Sequence, residues 1–170
     1  MRILTFFAAV MLLLATNFAA HASDKKFFSG IRGEWSGPGE IVAGKYKGTK
    51  FVCKFGGTKP KTKEGMMVDG SCRVGVFSRP MNAEVMKTAA SYVGKFLDGQ
   101  KGDGMDVVGG RYTRNRLVVE IRRKNLNGIM VANLSDPNRL KITISVRHNK
   151  KLIPVIGMNL ARTGKAVATN

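Results

Sequence analysis

The sequence predicts an all-β fold, an antiparallel up-and-down barrel of about eight strands with one inserted helix. The first observation is a strict alternation of apolar and polar residues, clearest over 139–148, which is typical of a strand buried on one face. The second is that polar turn signals separate such runs about every 11 residues, as in an antiparallel meander. Closing the meander into a barrel removes exposed edges, whereas a two-sheet sandwich with the same periodicity remains the alternative.

The expected strands have short, polar connections between them. Pro154 interrupts the last one and indicates a bulge or an edge, because proline cannot donate to the hydrogen-bond ladder. Segments 23–30 and 163–170 have no strand pattern, and we expect loose termini there. The strands are expected at about 33–43, 49–55, 66–77, 105–112, 116–123, 128–134, 139–148 and 152–162.

A different pattern separates the third and fourth expected strands. Pro80 precedes it and Gly99 follows it, and both residues are typical of helix boundaries. We therefore expect one helix near residues 81–98, long enough to cross the mouth of a small barrel. The apolar residues that recur at helical spacing are Met81, Val85, Ala89, Val93 and Phe96.

Residues 1–22 have the features of a cleaved secretory signal peptide. Arg2 gives a positive start, an apolar run follows, and Ala20-His21-Ala22 matches the small-x-small cleavage pattern. The apolar run is shorter than the ~20 residues that a membrane-spanning helix needs. We therefore expect cleavage after Ala22, export to the periplasm, and a single barrel domain over 23–162.

The sequence contains two cysteines, Cys53 and Cys72, each at the centre of a strand-like run. In an oxidising compartment such a pair is expected to form a structural disulfide. There is no C-x-x-C spacing, which argues against a redox-active pair.

Gly33-Glu34-Trp35 on the first expected strand resembles the G-x-W motif that opens lipocalins and related calycin barrels. In those families a late arginine packs over the tryptophan and closes one end of the barrel, and Arg162 is the matching residue here. The longer Gly33-x-Trp35-x-Gly37-x-Gly39 is similar to the opening of nitrobindin-type haem barrels. The resemblance implies a calycin-like barrel closed by Trp35 and Arg162.

Positive charge is the strongest chemical signal, with a formal net charge of +18. Following the meander, several turns and strand ends meet at one barrel end, and we call their cations the basic rim. So much charge favours polyanions, although it is also compatible with a role in solubility alone. Aromatic residues for base stacking are sparse, so nucleic acid is a poor fit. The basic rim comprises Lys45, Lys47, Arg122, Arg123, Lys124, Arg147, Lys150 and Lys151.

Catalytic and metal-binding patterns are weak in this sequence. The acidic residues are scattered, no G-x-S-x-G elbow occurs, and we expect no catalytic residues, metal or cofactor. His148 is more simply a turn-adjacent residue than a haem ligand, and Asp103 and Asp106 fit a plain turn better than a calcium loop.

We therefore expect an exported, non-enzymatic binding protein of the periplasm or cell envelope. Its basic rim would contact an anionic or amphiphilic ligand, namely a lipid, lipopolysaccharide or acidic glycan, and peripheral membrane contact is compatible with this. One alternative is a protein–protein module or assembly factor of an envelope complex. Another is a carrier of haem or a small hydrophobic ligand. Methionines such as Met105, Met130 and Met158 suit either an open apolar lumen or a packed one.

Overall fold

The computed structural model describes residues 24–97 and 104–164, and these form ten antiparallel strands closed into a barrel. Each strand pairs with the next along the chain, and the last pairs with the first. This confirms an antiparallel barrel, but with ten strands where the sequence predicts about eight. The strands are Gly33–Ile41 (β1), Lys50–Thr58 (β2), Gly65–Val74 (β3), Phe77–Lys87 (β4), Tyr92–Leu97 (β5), Met105–Thr113 (β6), Arg116–Arg123 (β7), Leu126–Asp136 (β8), Arg139–His148 (β9) and Lys151–Arg162 (β10).

The helix predicted near 81–98 is wrong, because its described part forms strands β4 and β5 with a turn between them. A spacing of four residues lies on one face of a strand as well as of a helix, so Met81 and Val85 fit either structure. Val93 is 38% exposed and lies on the outer face, where a helix would have buried it. These two unpredicted strands account for the difference between eight and ten.

A short helix, α1, occupies 24–30, where the sequence predicts a loose terminus. Phe27 and Phe28 on this helix are 2% and 1% exposed. The Phe27 ring lies 5.2 Å from the ring of Tyr112, and the Phe28 ring lies 6.0 Å from that of Tyr92. Since burial of each phenylalanine contributes about 2 kcal/mol, tertiary packing holds a helix that is too short to be stable alone.

The meander gives the barrel two distinct ends. We call the end at which α1 packs the helix end, and β1, β3, β5, β7 and β9 run away from it. We call the opposite one the far end. The turns at 42–49, 75–76, 124–125 and 149–150 lie at the far end, and those at 59–64, 88–91, 114–115 and 137–138 lie at the helix end.

A β-bulge in β10 confirms the expectation for Pro154. The register between β10 and β9 shifts between Pro154 and Ile156. The shift reverses the inward and outward alternation, so that Leu152, opposite Arg147, faces outward and is 41% exposed. Beyond the bulge, Met158 lies opposite Ile142 and both line the barrel interior.

The predicted disulfide between Cys53 and Cys72 is present and joins directly paired residues of β2 and β3. Cys53 is 0% exposed, and its sulfur lies 3.9 Å from that of Met158 on β10. The bond therefore lies on the inner face of the barrel and links two neighbouring strands inside the core.

Several expectations fall on other parts of the chain. The signal peptide at 1–22 and residues 165–170 of the expected tail lie outside the described residues. Thr163, at the start of that tail, donates its backbone N–H to the carbonyl of Glu34. Within 24–97 and 104–164, none of the helical structure has the length and apolar character that a membrane-crossing helix requires.

Replacing both cysteines (Cys53→Ala/Cys72→Ala) is expected to lower the free energy of unfolding by about 3 kcal/mol, because the bond restricts the unfolded chain. Urea denaturation followed by circular dichroism measures the change. A reductant should shift the wild-type midpoint towards that of the variant and leave the variant unaffected. Identical midpoints for the oxidised and reduced wild type would contradict this role.

Candidate functional site

The helix end is closed by stacking of Arg162 on Trp35, as the resemblance implies. The two residues lie opposite each other on β10 and β1, and the guanidinium carbon is 4.3 Å from the centroid of the indole ring. Trp35 is 2% exposed. A guanidinium over an indole face gains both cation–π attraction and flat packing.

Arg162 also binds the backbone at the C-terminal end of helix α1 and just after it. Its guanidinium donates to the carbonyl oxygens of Gly30 and Arg32, both at 2.6 Å, and to that of Pro137 at 3.0 Å. Trp35 Nε1 donates to the carbonyl of Ile31 at 2.9 Å. Burial lowers the pKa of Arg162, but an arginine remains charged at neutral pH. This pair therefore holds the C-terminal end of α1 against the barrel.

Two glycines near Trp35, Gly33 and Gly39, are required for different physical reasons. Gly33 has φ of 100°, a conformation that side chains disfavour, where the chain turns from α1 into β1. Gly39 faces the interior, and a Cβ there would lie 2.2 Å from the ring of Phe51 and 2.9 Å from Met158. The motif therefore combines a turn at the helix end with space for a neighbouring aromatic ring.

The other end of α1 is anchored by a buried polar group. Asp24 is 8% exposed, and it accepts a hydrogen bond from the Tyr92 hydroxyl at 2.9 Å and pairs with Lys87. Burial, and then the hydrogen bond to Asp24, raise the pKa of Tyr92. Inside the barrel, the charge of the Asp24 carboxylate is therefore balanced by Lys87 on β4, and the carboxylate is hydrogen-bonded by Tyr92 on β5.

Above α1, the lumen contains an apolar cavity of about 150 Å³. Phe28 and Ile31 line its helix-end side. An apolar cavity of about 150 Å³ is large enough to accept a benzene-sized molecule. Its wall includes the methionines Met66, Met81, Met105, Met130 and Met158 and the aliphatic residues Val68, Val85, Leu117, Ile121, Ala132, Leu140, Ile142 and Ile144.

Methionine is unusually frequent in this wall. Unbranched thioether side chains change rotamer at low cost, so they adapt their shape to a guest. The lumen is partly open because it contains this cavity. Rearrangement of the methionine side chains in its wall can enlarge it.

The cavity reaches solvent towards the far end. Asn82 on β4 and Leu97 on β5 both contact the cavity, both are exposed, and they are directly paired. Among the described residues, β5 pairs with β6 through Gly94, Lys95 and Phe96. An apolar chain entering here would leave its polar end at the far end of the barrel.

The predicted basic rim lies at this same far end, as the meander topology requires. Arg122 donates through Nε to the Asn127 side chain at 3.2 Å, and the ammonium of Lys45 is 5.6 Å from the Tyr46 ring centroid. Lys47, Arg123, Lys124, Arg147, Lys150 and Lys151 lie in the far-end turns or in the strand ends beside them. Whether these cations bind an anion stays a prediction.

Sequence reasoning missed two parts of the site. The Phe27-Phe28 pair, which forms the helix-end side of the core, falls in a segment expected to be loose. The β3–β4 hairpin is not predicted from the sequence, because the pattern of residues in β4 indicates a helix. Two adjacent phenylalanines among polar residues were the available signal for α1.

The residues considered for metal, haem or catalysis do not converge. His148 is exposed at the end of β9 and is not among the residues that line the cavity. Asp106 lies on β6 opposite Arg122, and Asp103 lies outside the described residues. Among 24–97 and 104–164, no three His, Cys, Asp or Glu residues are grouped so that they would hold a metal ion.

Comparisons with known proteins assign no family. The sequence matches no protein-family model and no curated protein.

Replacing the guanidinium (Arg162→Ala) is expected to lower the free energy of unfolding by about 3 kcal/mol, because three carbonyls and the indole face lose a charged partner. Urea denaturation followed by circular dichroism measures it. The emission of Trp35, the single tryptophan, should also shift to longer wavelength as the indole becomes hydrated.

Arg139→Ala is the matched control at the same end. Its side chain is 81% exposed and pairs only with Asp136, at 3.5 Å, so a loss of no more than about 0.5 kcal/mol is expected. Equal losses in the two variants would show that Arg162 does not fasten the helix end.

Proposed function

We propose that this protein is an exported, non-enzymatic binding protein of the periplasm or cell envelope that holds an anionic amphiphile. The apolar end of the ligand enters the barrel, and its anionic head lies among the cations of the basic rim. The main support is the apolar cavity of about 150 Å³, which is closed by α1 at the helix end and reaches solvent towards the far end, where the basic rim lies.

The wall of the cavity supports an apolar guest. Of the described residues that line it, Asn82 alone has a polar side chain. A polar headgroup inside the lumen would lose its hydrogen bonds to water without replacement, which costs several kcal/mol. A hydrocarbon chain loses nothing by the same transfer, so the head belongs outside.

The charge at the exit supports an anionic head. Lys45 and Lys47 are in one far-end turn and Lys150 in another, whereas acids at this end are limited to Glu40 and Asp106 among the described residues. Long basic side chains reach a head at several positions without a fixed pocket, which suits phosphate or carboxylate groups of variable geometry.

A calycin-like relationship is part of the proposal. Its support is the closing pair, in which Arg162 stacks on Trp35 at the barrel end from which β1 starts. In this protein the closing pair occurs in a barrel of ten strands, and helix α1 precedes β1.

Export is supported by the disulfide and by the sequence of residues 1–22. The Cys53–Cys72 bond is consistent with folding in an oxidising compartment, since disulfides are rare in the cytosol. In the periplasm the available anionic amphiphiles are phospholipids, their single-chain derivatives and lipopolysaccharide.

Octyl phosphate is expected to bind the mature protein at low salt at least tenfold more tightly than octyltrimethylammonium, which has the same chain and the opposite charge. Isothermal titration calorimetry below the micelle concentration measures both. Raising the salt concentration should reduce the difference, because exposed charges are screened over about 10 Å at 0.1 M. Equal affinities would contradict recognition of the head by the rim.

Filling the cavity with Ala132→Leu is expected to weaken octyl phosphate binding at least tenfold. Ala132 is 5% exposed and lines the cavity, so added carbons compete with the guest. Val52→Leu, at a position 43% exposed and outside the lining, is the matched control. Unchanged binding in a folded Ala132→Leu protein would place the chain outside the lumen and overturn the proposal.

A further inference from the structure

Exposed apolar side chains collect at the far end of the barrel. Val76, in the turn between β3 and β4, is 86% exposed, and Phe77, the first residue of β4, is 77% exposed. Tyr46, in the turn before β2, is 63% exposed. Near the helix end, the exposed large apolar side chains among the described residues are Met67 and Val93, each 38% exposed. The remaining far-end examples are Val42, Val52, Val74, Leu97, Leu126, Leu152 and Ile153.

These apolar residues alternate with cations around the far end. Four successive far-end hairpins each combine an apolar side chain with one or two basic ones. Because the strands are neighbours in the closed barrel, the four turns surround one opening. The combinations are Leu126 with Lys124, Leu152 with Lys150 and Lys151, Tyr46 with Lys45 and Lys47, and Phe77 with Arg73 and Arg79.

The β3–β4 hairpin carries the two most exposed of these apolar side chains, Val76 and Phe77. Val74 and Phe77 form the last pair of its ladder, and Gly75, with φ of 56°, lies at its tip. Arg73 stabilises the tip by donating to the carbonyl of Gly75 at 3.2 Å. The tip therefore presents Val76 and Phe77 to solvent at the far end.

We propose that the far end docks on an anionic bilayer, with Val76 and Phe77 inserted among the lipids and the basic rim on the headgroups. The proposal uses the same rim as the proposed function and adds the surface from which the ligand is taken or to which it is delivered. Docked in this way, the exposed part of the cavity beside Asn82 and Leu97 lies towards the lipid.

The positive charge of the far end favours an anionic bilayer over a second copy of this chain as the docking partner. Two far ends facing each other would bring their cations together, and like charges disfavour that contact. An anionic leaflet attracts each of these cations, and apolar side chains at such a surface transfer from water into lipid. Apolar tips ringed by lysine and arginine therefore match a charged membrane on both counts.

Vesicle cosedimentation tests the docking. Vesicles containing equal parts of phosphatidylglycerol and phosphatidylcholine should bind the mature protein, and pure phosphatidylcholine should not. Val76→Ser/Phe77→Ser keeps the charge unchanged and should weaken binding at least tenfold, because the apolar transfer is lost. This variant should retain octyl phosphate binding, so failure of docking is distinguishable from failure of the proposed function.

A charge-matched pair of variants tests the orientation. Lys45→Gln/Lys47→Gln/Lys150→Gln removes three cations at the far end and should weaken vesicle binding at least tenfold. Lys59→Gln/Lys61→Gln/Lys63→Gln removes the same charge from the helix-end loop and should change binding less than threefold. Equal losses would indicate non-oriented attraction and overturn the proposal.

A tryptophan at the tip reports insertion directly. In Phe77→Trp the new indole should be quenched by brominated lipids, whereas Thr62→Trp in the helix-end loop should not be. Trp35, buried at 2% exposure, supplies the unquenched background in the wild type. Absence of quenching in a vesicle-bound Phe77→Trp protein would overturn insertion. Concentration-dependent dimers that Val76→Ser/Phe77→Ser abolishes, without any vesicle binding, would instead assign the tip to a second copy.

Discussion

The stacking of Arg162 on Trp35 is the contact on which the rest of the structure depends. It joins β10 to β1, where the barrel closes, and the same guanidinium binds the carbonyls that end helix α1. Because α1 carries Phe27 and Phe28 into the core, one side chain couples barrel closure to sealing of the lumen. This contact therefore helps to hold in place the helix that closes one end of the cavity.

Sealing one end gives the barrel its polarity. At the helix end the buried Asp24 is paired with Tyr92 and Lys87, and the turns are polar. The far end leaves Val76 and Phe77 in water beside positively charged side chains. Burial of apolar surface drives folding, so apolar side chains left exposed together at one end point to a use outside the folded monomer. An amphiphile and a membrane surface both satisfy that arrangement.

The sequence was sufficient for the parts of the fold that rest on short-range patterns. Alternation over 139–148 predicted β9, and Gly33-Glu34-Trp35 with Arg162 predicted the closing pair. The rim grouping followed from meander topology and did not depend on the strand number. Spacing of four residues could not separate helix from strand at Met81 and Val85. Helix α1 escaped prediction because it exists through contacts with β5 and β6, which local sequence does not encode.

The position of Arg162 at the end of β10 has a consequence for the order of folding. Every other strand pairing joins neighbours along the chain and forms as a local hairpin, but Arg162 and Arg32, which it binds, are 130 residues apart. Loop closure over that distance comes late, since local contacts form first. A chain emerging from its amino terminus would therefore expose the edge of β1 until β10 arrives, and in that interval it would depend on protection from aggregation.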